Sequence, residues 1–263
     1  MQMDSGSTLL NIKTWFTRYS QSFFSQNDNL TFATKLKIEH TWRVCKNIKI
    51  ICKSINADPA MLDICKITAL LHDIGRFEQF KKYNTFSDRL SVDHASLAIE
   101  IIDKYNLLSC LSVNQKTIIR TAIQLHNVRE LPSDLEEETL VYCCLIRDAD
   151  KIDIFKITAE NYNNPDSTKN KIVRLGVEET SDISENVYNA VLNGKSVDYS
   201  EMHSINDFRL VQLGWIFDLK FSISILMVKQ NGYYDIIKQH LPQTNKVLEL
   251  LKKLDTYIDK KIT

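Results

Sequence analysis

The stretch "KITALLHDIGRFEQF", residues 66–80, frames both the fold and the chemistry of this 263-residue chain. Six largely apolar, helix-favouring residues run straight into His72 and Asp73, two polar groups that an apolar helix face ordinarily avoids. Upstream, Asp58 followed by Pro59 reads as an N-cap and a proline at the first helical position, so a helix opens there and carries the quoted residues. Gly75, two residues past the pair, is consistent with a helix that loosens at its end.

Outward from this stretch the period is helical almost throughout. Six glycines and four prolines are too few for the turns a β-rich domain of this size needs. Ser91, Ser112 and the capping-box-like "SDLE" at 133–136 are expected to open three more helices. Others are expected near 8–25, 30–56, 182–193, 207–231 and 244–261, with loops at 76–88 and 161–171. There is no repeat, low-complexity tract or linker long enough to separate one domain from another, so the fold class is all-α, a single domain.

Thirty-three basic residues balance 33 acidic ones, which gives no support for a duplex nucleic-acid footprint. The N-terminus lacks the charged and apolar regions of a secretory signal. The most apolar run, "FSISILMV" at 221–228, is far shorter than the roughly 20 residues of a membrane span, so a cytoplasmic protein without a membrane partner is expected. The six cysteines sit in apolar helical patterns with no CxxC pair and read as reduced core residues. His240, two residues before Pro242, reads as a helix C-terminal residue.

With six histidines and 20 aspartates, chance alone predicts about half an adjacent His-Asp pair, so the dipeptide by itself means little. Its company means more. His40, His72, His94 and His126 all fall in the first half, each on or at the end of an expected helix beside apolar residues. Burying four imidazoles requires compensating partners, and a metal ion is one. Imidazole nitrogen with carboxylate oxygen suits Mn, Fe, Co, Ni or Zn, with Mg as a further candidate.

The order of His40, then His72-Asp73, then a later aspartate in "RDADKID" resembles the HD-domain superfamily of metal-dependent phosphohydrolases. The flanking strings "EHTWRV", "LLHDIGRF" and "ADKID" are similar too. The resemblance covers roughly 36–157, implying an HD-type helical core there, an N-terminal helical segment at 1–35 packed on it, and a C-terminal helical extension at 158–263. It implies that His40, His72, Asp73 and a distal aspartate ligate one divalent ion, and that Asp73 also orients or deprotonates the attacking water. His94 and His126 stand where family members with two metals carry extra ligands, although either could instead meet substrate phosphate or cap a helix. Asp148 and Asp150 project about 200° apart on a helix, and both have apolar neighbours one turn away, so periodicity does not choose between them. The family's alanine-aspartate-basic-apolar string aligns with Asp150.

The implied activity is hydrolysis of a nucleotide or other small phosphate ester by a metal-activated water, with one or two ions. Arg43, Arg76 and Lys151 are the candidate phosphate-binding cations, Arg76 also a candidate catalytic group, and Asp153 a candidate partner for a ligand histidine. The rival reading is a catalytically inactive HD domain that binds a nucleotide or protein. Only Glu78 stands where alarmone-hydrolysing relatives carry an acidic pair, and no P-loop, dinucleotide, serine-hydrolase or zincin motif is present.

Overall fold

A computed structural model describes residues 5–163 and 182–263; the expected loop at 161–171 lies largely outside the described residues. Among the described residues every regular element is helical. The chain forms two compact units, 1–150 and 151–263.

The first unit opens with α1 (Ser5–Gln21) and α2 (Asp28–Ser54), the latter capped by Asn27, whose side chain accepts from the Leu30 N–H. The Asp58 carboxylate accepts from the Met61 N–H at 2.8 Å and starts α3 (Pro59–Leu71), as the sequence predicts. The helix ends at His72, three residues form a turn, and α4 (Gly75–Tyr83) begins, so the chain does loosen at His72-Asp73. Gly75 has a further reason to be glycine. An added Cβ would lie 2.2 Å from the His94 carbonyl oxygen and 2.8 Å from the Ala98 nitrogen, so only glycine lets the two backbones approach this closely.

The expected loop at 76–88 is mostly helix. Phe77, Gln79 and Phe80 are buried, with the Phe77 ring 5.4 Å from that of Phe23, and the helix stops only where Asn84 turns left-handed at φ 53°. A 3₁₀ turn at Asp88–Leu90 leads to α5 (His94–Lys104). Its cap is Asp93, which accepts from the Ser96 N–H, and not Ser91, whose hydroxyl donates to the Ser87 carbonyl. Ser112 opens α6 (Val113–Gln124), as expected, and forms a capping box with Gln115. "SDLE" at 133–136 runs up to the next helix, with a turn at Ser133-Asp134. The next helix, α7 (Glu137–Asn163), starts later, with the Glu136 carbonyl the first to accept, from the Leu140 N–H.

α3 packs on α1, α2 and α6, and α5 on α4 and α6. The Asn47 amide donates to the Ala149 carbonyl at 3.0 Å and ties α2 to α7. Val44, Ile48, Ile67, Leu71, Ile119 and Ile146 are almost completely buried between these helices.

The second unit holds the end of α7 with α8 (Glu185–Leu192), α9 (Ile205–Gly214), α10 (Ser222–Gln230), α11 (Tyr233–Gln239) and α12 (Asn245–Ile262). The single helix expected at 207–231 is broken by a 3₁₀ turn at Trp215–Asp218 and an extended Leu219, which seats Ile216 and Leu219 in the core. His240 is the C-terminal cap residue of α11, as its position suggests, and stacks on Tyr162 at 4.9 Å. All six cysteines are free, and no described helix is long and apolar enough to cross a membrane.

Candidate metal centre

Five segments of the first unit turn polar side chains onto one point. His40 comes from the middle of α2, His72 and Asp73 from the loosened end of α3, His94 from the first turn of α5, His126 from just past α6, and Asp150 from α7. The four imidazoles and Asp73 are buried, while the Asp150 side chain keeps 22% exposure.

The Asp73 carboxylate lies at the middle. Around its Oδ2 stand His40 Nε2 at 3.4 Å and His72 Nε2 at 3.8 Å, and Asp150 Oδ1 closes this side at 3.1 Å from His40 Nε2 and 3.9 Å from His72 Nε2. Around its Oδ1 stand His94 Nε2 at 3.3 Å and His126 Nε2 at 3.8 Å. The structure therefore brings together the sequence candidates for metal ligation, with Asp150 Oδ1 3.1 Å from His40 Nε2.

The far side of each ring fixes what it can offer. His72 Nδ1 donates to the Ala69 carbonyl at 2.8 Å and His126 Nδ1 to the Ile123 carbonyl at 2.6 Å. Carbonyls only accept, so the proton of a neutral ring sits on Nδ1 and the Nε2 lone pair is bare. His94 Nδ1 lies 2.6 Å from Asp88 Oδ2 and donates to that carboxylate, which the nearby His94 and Arg76 hold down to about 2 against the upward pull of burial. Yet His94 Nε2 and His126 Nε2 face each other at 2.9 Å, and His40 Nε2 and His72 Nε2 at 3.3 Å. Where neither Nε2 of a pair carries a proton, a cation between the two makes so close an approach favourable. Burial pushes His72 down and His126 down to about 3, so a proton on either ring is disfavoured. Ligands about 2.1 Å from an ion stand roughly 3.0 Å apart at the corners of an octahedron and about 3.4 Å apart on a tetrahedron, so this donor set fits a divalent metal.

Cations also touch Asp73 directly. Lys37, one turn before His40 on α2, places Nζ 2.8 Å from Asp73 Oδ2 and packs over the Phe86 ring. Burial would raise the Asp73 carboxyl, but Lys37 first, then His72, Arg76 and His94, hold it well below the usual range. Arg76 keeps Nε 3.5 Å from Asp73 Oδ1, with no hydrogen-bond partner for that N–H, while its Nη1 donates to Gln79, Asp88 and the Phe86 carbonyl. The other two cations singled out in the sequence have partners elsewhere: Arg43 pairs with Glu39 at 3.7 Å, and Lys151 pairs with Asp218 beside the Trp215 ring. Asp153, also singled out, is buried one turn past Asp150.

Sequence reasoning did not find Lys37, Asp88 or Arg147. Lys37 had a readable signal, its i−3 spacing from His40. Asp88, in an irregular segment six residues before His94, had none. Arg147 on α7 donates to the carbonyls of Leu125 and Val128, satisfying the open end of α6 and fixing the segment that carries His126.

A scaffold whose described elements are all helical, and which gathers imidazoles and carboxylates around one buried carboxylate, belongs to the class of helical proteins with a site that could hold divalent metal. Residues 38–154 match the HD domain family model, and this region of the chain belongs to the HD-domain superfamily, which is typical of metal-dependent hydrolases. No curated protein and no solved structure matches the chain.

Proposed function

We propose that the chain is a metal-dependent phosphohydrolase acting on a nucleotide or another small phosphate ester, with the chemistry in an HD core at 36–157. The observation that carries this reading is the close approach of imidazole Nε2 atoms on either side of Asp73, at 2.9 Å for His94 and His126 and 3.3 Å for His40 and His72, an arrangement that a divalent cation makes favourable. A bound ion supplies positive charge for phosphoryl oxygens and a water whose pKa is lowered towards neutrality.

His40, His72 and Asp150 would hold one ion beside Asp73 Oδ2, and His94 and His126 would hold a second beside Oδ1. Asp73, ionised throughout the neutral range, orients the attacking water and accepts its proton. The Lys37 ammonium and the unpartnered Arg76 N–H face this centre and meet the anionic oxygens of the ester.

The test is metal analysis of protein purified without chelator, followed by a screen of mono-, cyclic and oligonucleotides with Mn²⁺ or Co²⁺. About one or two ions per chain are expected, and His72→Ala or Asp73→Ala removes metal together with at least about 100-fold of turnover. Protein that takes up no ion overturns the reading. Protein that binds metal but turns over no phosphate ester favours the inactive binding domain instead.

A further inference from the structure

Two of the three histidines whose Nδ1 partner is established donate to a backbone carbonyl, whereas His94 donates to a carboxylate. The difference is built by a buried set of side chains. Gln79 on α4 is fully buried, and its amide nitrogen donates to Asp88 Oδ1 at 2.8 Å, Ser91 Oγ at 2.9 Å and the Val92 carbonyl at 3.0 Å. Its amide oxygen accepts from Arg76 Nη1 at 2.9 Å, and Arg76 also donates to Asp88 Oδ1 and the Phe86 carbonyl. Asn127, next to His126, reaches Asp88 Oδ2 at 3.3 Å and Asp93 Oδ1 at 2.8 Å. The segment 86–92 is thus clamped to α4 through two side chains, and what the clamp presents to α5 is the Asp88 carboxylate.

We propose that Asp88 is a positioning residue for the Oδ1-side subsite, held by Gln79 and Arg76 so that His94 presents a bare Nε2 of raised donor strength. The proposal rests on the metal reading above and extends it. The Oδ2 side has two imidazoles and Asp150 around Asp73, whereas on the Oδ1 side, among the described residues, ion pairs link two imidazoles to Asp73 and no second carboxylate to both. With one donor fewer, that side depends more on the basicity of each ring. A carboxylate on the far nitrogen raises the basicity of an imidazole and locks its tautomer.

The experiment is titration of metal-free protein with Co²⁺, following the visible absorption of each bound ion, on wild type, His94→Ala, Asp88→Ala and Asp88→Asn. Two ions are expected in wild type, with the second absent in His94→Ala. Asp88→Ala weakens the second ion about 10- to 100-fold and leaves the first unchanged. Asp88→Asn falls between, because the amide oxygen still accepts from Nδ1 but carries no charge, and it also serves if the alanine variant does not fold. Equal weakening of both ions makes Asp88 a scaffold residue and overturns the proposal. So does an unchanged second ion in Asp88→Ala or Asp88→Asn, and so does a wild type that binds one ion irrespective of His94. A wild type that binds no Co²⁺ at all is distinguishable from these and overturns the functional reading with it.

Discussion

Gly75→Ala is the substitution in which fold and site are most directly coupled. The added methyl group starts 2.2 Å from the His94 carbonyl oxygen and 2.8 Å from the Ala98 nitrogen, where real Cβ contacts essentially never fall below 3.0 Å. Both obstacles are backbone, so no side chain can swing aside, and α4 and α5 must separate by about 0.8 Å at His94. Overpacking of this kind costs about 1–3 kcal/mol, and two backbone contacts put it at the upper end. The better helix propensity of alanine returns roughly 0.5–1 kcal/mol, leaving a net loss of about 2 kcal/mol. For a unit of this size that lowers Tm by about 4–8 °C. The same displacement carries His94 away from Asp73 Oδ1, now 3.3 Å from its Nε2, so the ion proposed for that side is expected to bind more weakly. Calorimetry and Co²⁺ titration on the variant measure both effects. A variant as stable as wild type with unchanged metal binding refutes the reasoning, because helix propensity would then have outweighed a clash that the backbone can relieve at no cost.

Asp150→Ala is expected to lose metal and activity together, whereas Asp148→Ala alters stability and keeps the metal; metal content and thermal midpoint of both variants decide it, and an emptied site in Asp148→Ala contradicts the register on α7. Lys37→Met removes the cation on Asp73 Oδ2 and should destabilise metal-free protein by about 3 kcal/mol, the cost of breaking a buried ion pair. Added Mn²⁺ restores the positive charge, so the Tm gain on metal addition should exceed that of wild type, and an equal gain counts against the assignment. Chelator-treated wild type should lose stability on acidification. Burial holds His126 from 6.5 down to about 3, so the unfolded chain binds the proton first. The stability is complete above about pH 6.5 and declines as pH falls towards 3, by up to about 1.4 kcal/mol per pH unit. Denaturation midpoints that stay constant from about pH 7 to about pH 5 would be the contrary result.

The helical class, the Asp58-Pro59 start of α3 and the start of α6 at Ser112 are legible in the chain itself, because each depends on neighbours within a turn or two of helix. A period of 3.6 residues reports which side of a helix is apolar, and an apolar run interrupted by His72-Asp73 reports a polar centre in the core. Neither reports what that side faces. Residues alone leave Asp148 and Asp150 open because both have apolar neighbours one turn away, and the distance of 3.1 Å between Asp150 and His40 comes only from the way α2 and α7 pack. α4 looks like loop in the sequence because its charged residues mask the short buried face of Phe77, Gln79 and Phe80, whose burial comes from α1 and from the 86–92 segment. Asp88 carries no periodic signal, and its place behind His94 is decided by hydrogen bonds to Gln79 and Arg76. Sequence period is a local property of one helix, while a site built from five segments between His40 and Asp150 depends on how those helices pack, and packing is set by contacts among residues far apart in the chain.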